Sequence, residues 1–464
     1  MVTAVPERSG TRRAVAVLAV SVVGFAVQQT AIVPAIADVQ KSLHASPEWA
    51  AWLVTVYLIV ATVATLAVGR LADLHGRRRM LLLGLVVFAL ASVGAALSVN
   101  IAMLLAFRAL QGIGGAVYPL ALSLTRELVP QRDVTVAIGA LTGAFGVGTA
   151  VGFVSGGLLA EYASWRWIFV LGAVLVAGAA VVVRRRVPDS PAPAVGSFDL
   201  LGTGLLGTAT VALLTALTLV VPDGWGSPGT VALLVIAALA ATGWAVAERR
   251  EAHPLIDLHV LTERPVLIGN LASVGLGWAL FASYLLLPRF ARAAHTDGYG
   301  LAMSAAAVGF VLVPLAVGQL LAAPAASLLV RRYPTRFVFA AGLLLTTAAL
   351  GALCGVRSGD WATAGADLLL GLGAGTALQS ASAVTTEGVS AEVAAVSASL
   401  NSTVRRFAGG IGGQVSTILL ASLARAPRQP EFRAYVVAYL VAAALCAAGA
   451  ALVLSGRPES AAAG

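Results

Sequence analysis

Residues 69–79 read GRLADLHGRRR, between an apolar run from Ala50 to Val68 and another from Met80 to Val99. A helix needs about twenty apolar residues to cross the hydrocarbon core of a bilayer. The loop between two such runs is therefore a turn at a membrane face. Gly69 would let two helix ends approach closely, and Gly76 permits a tight turn at positive φ. Asp73 sits among Arg70, Arg77, Arg78 and Arg79. A carboxylate there can cap a neighbouring helix N-terminus or pair with a guanidinium. Gly69, Asp73, Gly76, Arg77 and Arg78 together read as a conformational latch, closed when the inner ends of two bundles meet. The plainer reading of the arginines is anchoring on the cytoplasmic side.

Composition widens this local reading to the whole chain. Of its 464 residues, 59% are hydrophobic and only 11% charged, with a mean hydropathy of +0.91. Soluble domains carry about 25% charged residues. The lipid bilayer is therefore the expected solvent. The net charge of +9 would suggest nucleic acid in a soluble protein, but here basic cytoplasmic loops explain it and no nucleic-acid partner is expected. A single lysine, Lys41, beside 29 arginines matches high-GC codon usage. Cys354 and Cys446 lie in apolar runs, so neither a disulfide nor a metal site is expected. Arg8, Arg12 and Arg13 precede a run too long for a signal peptide, which reads as the first membrane helix.

Fourteen segments have spanning character: 14–36, 50–69, 80–98, 102–124, 135–160, 167–183, 199–221, 229–247, 266–289, 302–329, 337–356, 361–384, 394–422 and 434–455. With the N-terminus inside, nineteen Lys and Arg fall in inner segments and eight in outer loops, while Arg108, Arg405 and Arg406 lie within helices. That asymmetry places both termini in the cytoplasm of a multi-pass inner (plasma) membrane protein. The linkers 184–199 and 248–265 are polar or charged, and the second could hold a short interfacial helix. The layout is a six-helix bundle (1–186), a linker with a two-helix hairpin (187–265) and a second six-helix bundle (266–464). SLLVRRYPTR (327–336) echoes the loop at 69–79 after the second helix of its half. Repeats of this kind mark secondary transporters, with substrate bound at the midplane between halves.

Gly69, Leu71, Ala72, Asp73, Gly76, Arg77, Arg78 and Leu81 resemble the loop 2–3 signature of the major facilitator superfamily, with Leu74 in place of the usual basic residue. In LLAFRALQGIGGAVYPL, Leu104, Arg108, Gln111, Gly112 and Gly114 resemble the family's helix-four motif. The resemblance implies proton handling by Arg108, with Gln111 on the same face. The competing reading is an arginine bonded to backbone carbonyls as structural glue. Gly139, Gly148, Gly152, Gly156 and Gly157 match the spacing of the antiporter motif, with Phe153 where the family has proline. EYASWRWIFV is similar to the usual entry to helix six. SLNSTVRRFAGGIGGQV resembles the start of helix thirteen in fourteen-helix exporters, with Arg405 and Arg406 near its cytoplasmic end and snorkelling to the interface.

The resemblance implies an all-α integral membrane protein of the drug:proton antiporter branch. It would be a monomer without cofactor, exporting lipophilic small molecules by alternating access, with protons as the coupling ion. It would not be an enzyme, and no Walker-type phosphate loop suggests ATP as the energy source. Aligned on Pro34, the branch's helix-one aspartate is Phe25 here, beside neutral Gln28 and Gln29. Asp367 remains as a carboxylate embedded away from helix ends, either a proton carrier or an outer-mouth group in water. Polar residues predict the substrate cavity: Gln28, Gln29, Asn270, Gln319, Gln379 and Asn401, with Trp278 leading an aromatic stripe through Phe281 and Tyr284. The missing helix-one carboxylate also admits a metabolite exporter or uniporter without proton coupling. A membrane sensor that has lost transport is a third reading.

Overall fold

The computed structural model describes residues 8–189, 198–251, 258–295, 298–386, 391–426 and 429–455. It is built of helices, with one short antiparallel strand pair, β1 (Ala424–Ala426) and β2 (Gln429–Pro430). Among the described residues, thirteen helical spans are long and apolar enough to cross a membrane. The segment expected at 394–422 is a 32-residue helix, α17 (Ala391–Ser422), but Asn401, Arg405, Arg406 and Gln414 keep it out of that apolar set.

The first expected span is broken into α1 (Arg8–Thr30) and α2 (Ile32–Ser42). Pro34 has no N–H to offer the Thr30 carbonyl, so the ladder fails at Ala31. Then follow α3 (Pro47–His75) and α4 (Arg77–Ala96), joined at Gly76 with φ 95°. The fourth span is α5 (Ile101–Gly112), a 3-10 turn (Ile113–Ala116) and α6 (Val117–Leu128). Its N-terminus is capped by the Asn100 side chain, which accepts from the Met103 amide at 2.8 Å. Helices α7 (Gln131–Tyr162) and α8 (Arg166–Arg186) complete the N-terminal group.

The hairpin is α9 (Leu200–Asp223) and α10 (Pro228–Glu248), followed by the short helix α11 (Leu258–Thr262). The short helix falls inside the linker where one was expected; residues 252–257 of that linker lie outside the described residues. The C-terminal group is α12 (Arg264–Arg292), α13 (Ala305–Val311), α14 (Val313–Arg332), α15 (Thr335–Gly355), α16 (Asp360–Thr386), α17 and α18 (Phe432–Ser455). Pro314 breaks α13 from α14 as Pro34 breaks the first span.

Two seams join the groups. At one, α7 meets α13 and α14; at the other, α3 meets α17, with α9 lying against both. One end of the molecule carries the Arg-rich turns, and we call it the basic end. At the opposite end the groups share one apolar core, from Ala31, Val39, Trp52, Phe153 and Phe169 through Leu286, Leu315 and Tyr435. Towards the basic end the N-terminal helices have their own core, around Leu18, Tyr57, Leu81, Phe88 and Val183, which Leu285 joins from α12 with Phe281 packed against it. Large exposed apolar side chains such as Leu90, Val174, Leu239 and Leu328 ring the exterior, as lipid-facing residues do.

Candidate functional site

The glycines of α7 set the first seam. A Cβ at Gly148 would lie 2.8 Å from the Val23 carbonyl, at Gly152 2.6 Å from that of Val27, and at Gly156 1.9 Å from that of Ala31. These three, four residues apart, form the groove that seats α1 and α2. Gly157 faces the other way, where a Cβ would lie 2.4 Å from the Ala305 carbonyl, and Gly309 opposes it against the Phe153 carbonyl at 2.5 Å. Gly139 has nothing within 4 Å and takes no part in this packing, unlike the other four of its motif.

Phe153 leaves α7 continuous where a proline would have broken its ladder. Its fully buried ring meets Tyr284 of α12 edge-to-face at 5.9 Å. Two polar contacts close the same end. Arg292 holds Asp38 through two bonds of 2.9 and 3.2 Å. Glu161 accepts from the Ala306 amide at 2.7 Å, at the N-terminus of α13. A carboxylate at a helix N-terminus is stabilised by the free amides and dipole there.

The second seam is held by polar bonds of α17. Arg406 donates to Thr65 Oγ1 at 2.6 Å and to the Gly115 carbonyl at 3.4 Å. That carbonyl is free because Pro119, four residues on, has no N–H. Gln414 donates to Thr55 Oγ1 at 2.7 Å and accepts from Thr218 of α9 at 3.3 Å, so both groups and the hairpin meet at one amide. Arg405 donates to Asn401 Oδ1 at 2.9 Å, and Asn401 in turn donates to Asn270 and Ser273 at 3.1 and 2.8 Å.

The expected position of these arginines is corrected. Arg405 and Arg406 are the fifteenth and sixteenth of the 32 residues of α17, at mid-helix rather than near an end. Neither snorkels; both are half-buried and bonded inside the protein. Arg108 is the eighth residue of its span, about 10 Å from the α5 end and so short of mid-membrane. It is 1% exposed, donates to the Leu53 carbonyl at 2.9 Å and to Gln111 Oε1 at 2.8 Å, and lies 4.7 Å over the Tyr57 ring. Gln111 passes the chain on to Ser92 at 2.7 Å.

Other expected positions divide. Gln28 is fully buried against Gly172 of α8, where a Cβ would lie 1.8 Å from its Oε1, so it faces into the N-terminal group and not a space between groups. Gln29, Gln319 and Gln379 are half-buried. Trp278 and Phe281 lie against Gly412 and Gly409 of α17, so the aromatic stripe faces the protein interior. Phe25, at the place of the branch's aspartate, sits 6.1 Å from Phe88 and 6.4 Å from Phe145. Asp367 is not in water: it is fully buried, and neither carboxylate oxygen has a side-chain hydrogen-bond partner among the described residues. The Leu315 amide at the start of α14, Tyr284 and Tyr439 are the groups within its electrostatic reach.

The 69–79 turn also departs from expectation. Gly69 has open space within 4 Å, so no close helix approach occurs there. Asp73 pairs with Arg77 at 3.3 Å inside the same turn. Arg77 also pairs with Glu127 at the end of α6, and Arg78 with Asp189 and the Arg184 carbonyl. These partners all belong to the N-terminal helices and the chain just after them. The contacts that bridge the groups were not anticipated: Arg406 with Gly115, Gln414 with Thr55, Arg292 with Asp38. A count of Arg405 and Arg406 from both ends of their run would have placed them at mid-depth.

Two helical groups meeting along glycine-lined and polar seams, with charges buried between apolar helices, define a multi-pass membrane carrier. The chain belongs to the Major Facilitator Superfamily, whose family model matches residues 18–413. It is 30% identical to the tetracenomycin C resistance and export protein of Streptomyces glaucescens over 413 residues, covering 87% of this chain and 75% of that one. It is 31% identical to the puromycin resistance protein of Streptomyces alboniger, covering 82% and 75%. It is 29% identical to the multidrug resistance protein Stp of Mycobacterium tuberculosis, covering 86% and 73%. In fold it is similar to the E. coli xylose transporter XylE in a partially occluded inward-open conformation, with TM-score 0.65 at 14% identity over 97% of this chain and 98% of that one. A peptide transporter of the POT family gives TM-score 0.68 at 15% identity over 97% and 99%.

Proposed function

We propose that this protein exports antibiotics or other lipophilic small molecules by alternating access, driven by protons entering through Asp367. The observation that carries the reading is the second seam, where polar and aromatic side chains of both groups meet at mid-depth around Arg406, Thr65 and Gly115. The resistance and export proteins it resembles supply the direction of transport. Residues 1–186 and 266–464 act as the rocking bundles, with 187–265 as linker and hairpin, and the basic end faces the cytoplasm. The closed end is then the outer gate, and its Asp38–Arg292 pair must part during each cycle. Asp367 supports proton coupling because a carboxylate buried within a span and outside any ion pair can exchange a proton with water only when the cavity reaches it. The latch reading of Asp73 requires a second conformation, in which the inner ends approach.

Dye efflux from cells lacking other pumps, with and without a protonophore, tests this. Efflux that ignores the protonophore removes proton coupling and favours the uniporter-like reading, for which the phenylalanine in place of a helix-one carboxylate speaks. Failure to export any compound of a broad panel favours the sensor reading.

A further inference from the structure

Along the second seam, cations and phenols alternate. The Arg108 guanidinium lies over the Tyr57 ring at 4.7 Å. Tyr57 is within electrostatic reach of Arg406 as well, and Tyr118 of both Arg405 and Arg406. Every hydrogen-bond acceptor of these three arginines among the described residues is neutral: the Leu53 and Gly115 carbonyls, Gln111, Thr65 and Asn401. None of the three forms an ion pair with a described carboxylate. Asp367 is held elsewhere, near Tyr284 and Tyr439.

Arg405 and Arg406 are neighbours in sequence at mid-helix, so two like charges share a region of low dielectric, where their repulsion is poorly screened. Hydrogen bonds to neutral oxygens satisfy the N–H groups but leave the charge uncompensated. Between the arginines, the Tyr57 hydroxyl is buried, with its residue 1% exposed, and has no hydrogen-bond partner among the described residues. Arg405, Arg406 and Tyr118 are half-buried, so they present surface to the space between the groups. The Phe145 ring lies 5.1 Å from that of Tyr118, tilted by 43°, which adds an aromatic wall. Guanidinium forks, an unused phenol donor and aromatic faces form a donor set for a planar organic anion, and a poor one for a cation.

We propose that Arg405, Arg406, Tyr57 and Tyr118 bind an aromatic organic anion, and that the exported compounds carry a carboxylate, phenolate or sulfonate. The first half stands on this geometry; the second rests on the exporter reading above.

Isothermal titration of the purified full-length protein in detergent tests the site with two matched probes, 2-naphthoate and naphthalen-2-ylmethylammonium. The wild type should bind naphthoate about tenfold more tightly than the ammonium. The double variant Arg405→Gln, Arg406→Gln keeps hydrogen-bonding side chains without their charge, and should lose that preference. Should it fail to fold, Tyr57→Phe should weaken naphthoate roughly tenfold and leave the ammonium unchanged. Equal or tighter binding of the ammonium overturns the proposal, and so does a preference that survives in the double variant. Displacement of naphthoate by millimolar inorganic phosphate, or by phosphatidylglycerol, also overturns it and reassigns the site to a phosphate or a lipid headgroup. Cellular efflux of a broad panel of lipophilic compounds, anionic and uncharged, is measured in parallel. Its absence with anion binding intact sinks the exporter reading alone, whereas its presence without anion binding sinks this site alone.

Discussion

Replacing Gly157 by alanine puts a methyl group where the two bundles touch. Its Cβ would stand 2.4 Å from the Ala305 carbonyl oxygen and 3.1 Å from the Ala306 Cα, against an ordinary contact of 3.4 Å or more. Both neighbours are backbone and cannot rotate away, so α13 must retreat by about 1 Å at that point. Overpacking of this kind costs about 1–3 kcal/mol. The clash exists only while this end is closed, so the cost falls on the conformational equilibrium rather than on the fold of either bundle. The closed-to-open ratio should drop about 5- to 150-fold. Gly139→Ala belongs to the same motif but has nothing within 4 Å, and should leave the ratio unchanged. The assay is pulsed EPR with spin labels at Ala163 and Asp360, both exposed at this end on opposite bundles, after Cys354 and Cys446 are replaced by alanine. Gly157→Ala should add a longer-distance population. Identical distributions for Gly157→Ala and the wild type, or equal shifts for Gly139→Ala, would refute the reasoning.

Asp367→Asn should remove the protonophore sensitivity of efflux without lowering thermal stability, since the amide keeps the size and the accepting oxygen of the buried carboxyl group; a variant that stays protonophore-sensitive counts against Asp367 as the proton site. Arg108→Ala strips hydrogen bonds from the Leu53 carbonyl and Gln111, at about 1.5–3 kcal/mol for each bond to a charged group, so melting temperature and turnover should fall together. Normal turnover in that variant would reduce Arg108 to structural glue. Asp73→Asn breaks a half-exposed pair with Arg77 and should barely move the melting temperature while slowing efflux. Wild-type efflux there would defeat the latch.

Much of the helical layout could be read in advance, and specific residues show why. Pro34 and Pro314 break two spans that were expected whole, at 14–36 and 302–329, although the rule is local: a missing N–H acts on the carbonyl four residues before it, whatever surrounds the helix. Gly76 marks the turn for an equally local reason, its positive φ of 95°. The site was less legible. Gln28 and Arg406 are both polar residues in apolar runs, yet one is wedged against Gly172 inside a bundle and the other crosses the seam to Gly115. Gly139 and Gly157 carry equal weight in the motif, yet only Gly157 touches the opposite bundle.

Chain order alone dictated a lipid-spanning helical protein, its punctuation and its basic end, since in hydrocarbon each helix must satisfy its own backbone bonds. Which face each helix turns to its neighbours came from packing between segments hundreds of residues apart. The Arg406–Thr65 bond, for example, spans 341 positions. Rotating a helix about its axis leaves its internal bonds intact, so local rules are silent on that angle; the close approaches of glycine, aromatic ring and guanidinium across the seams select it.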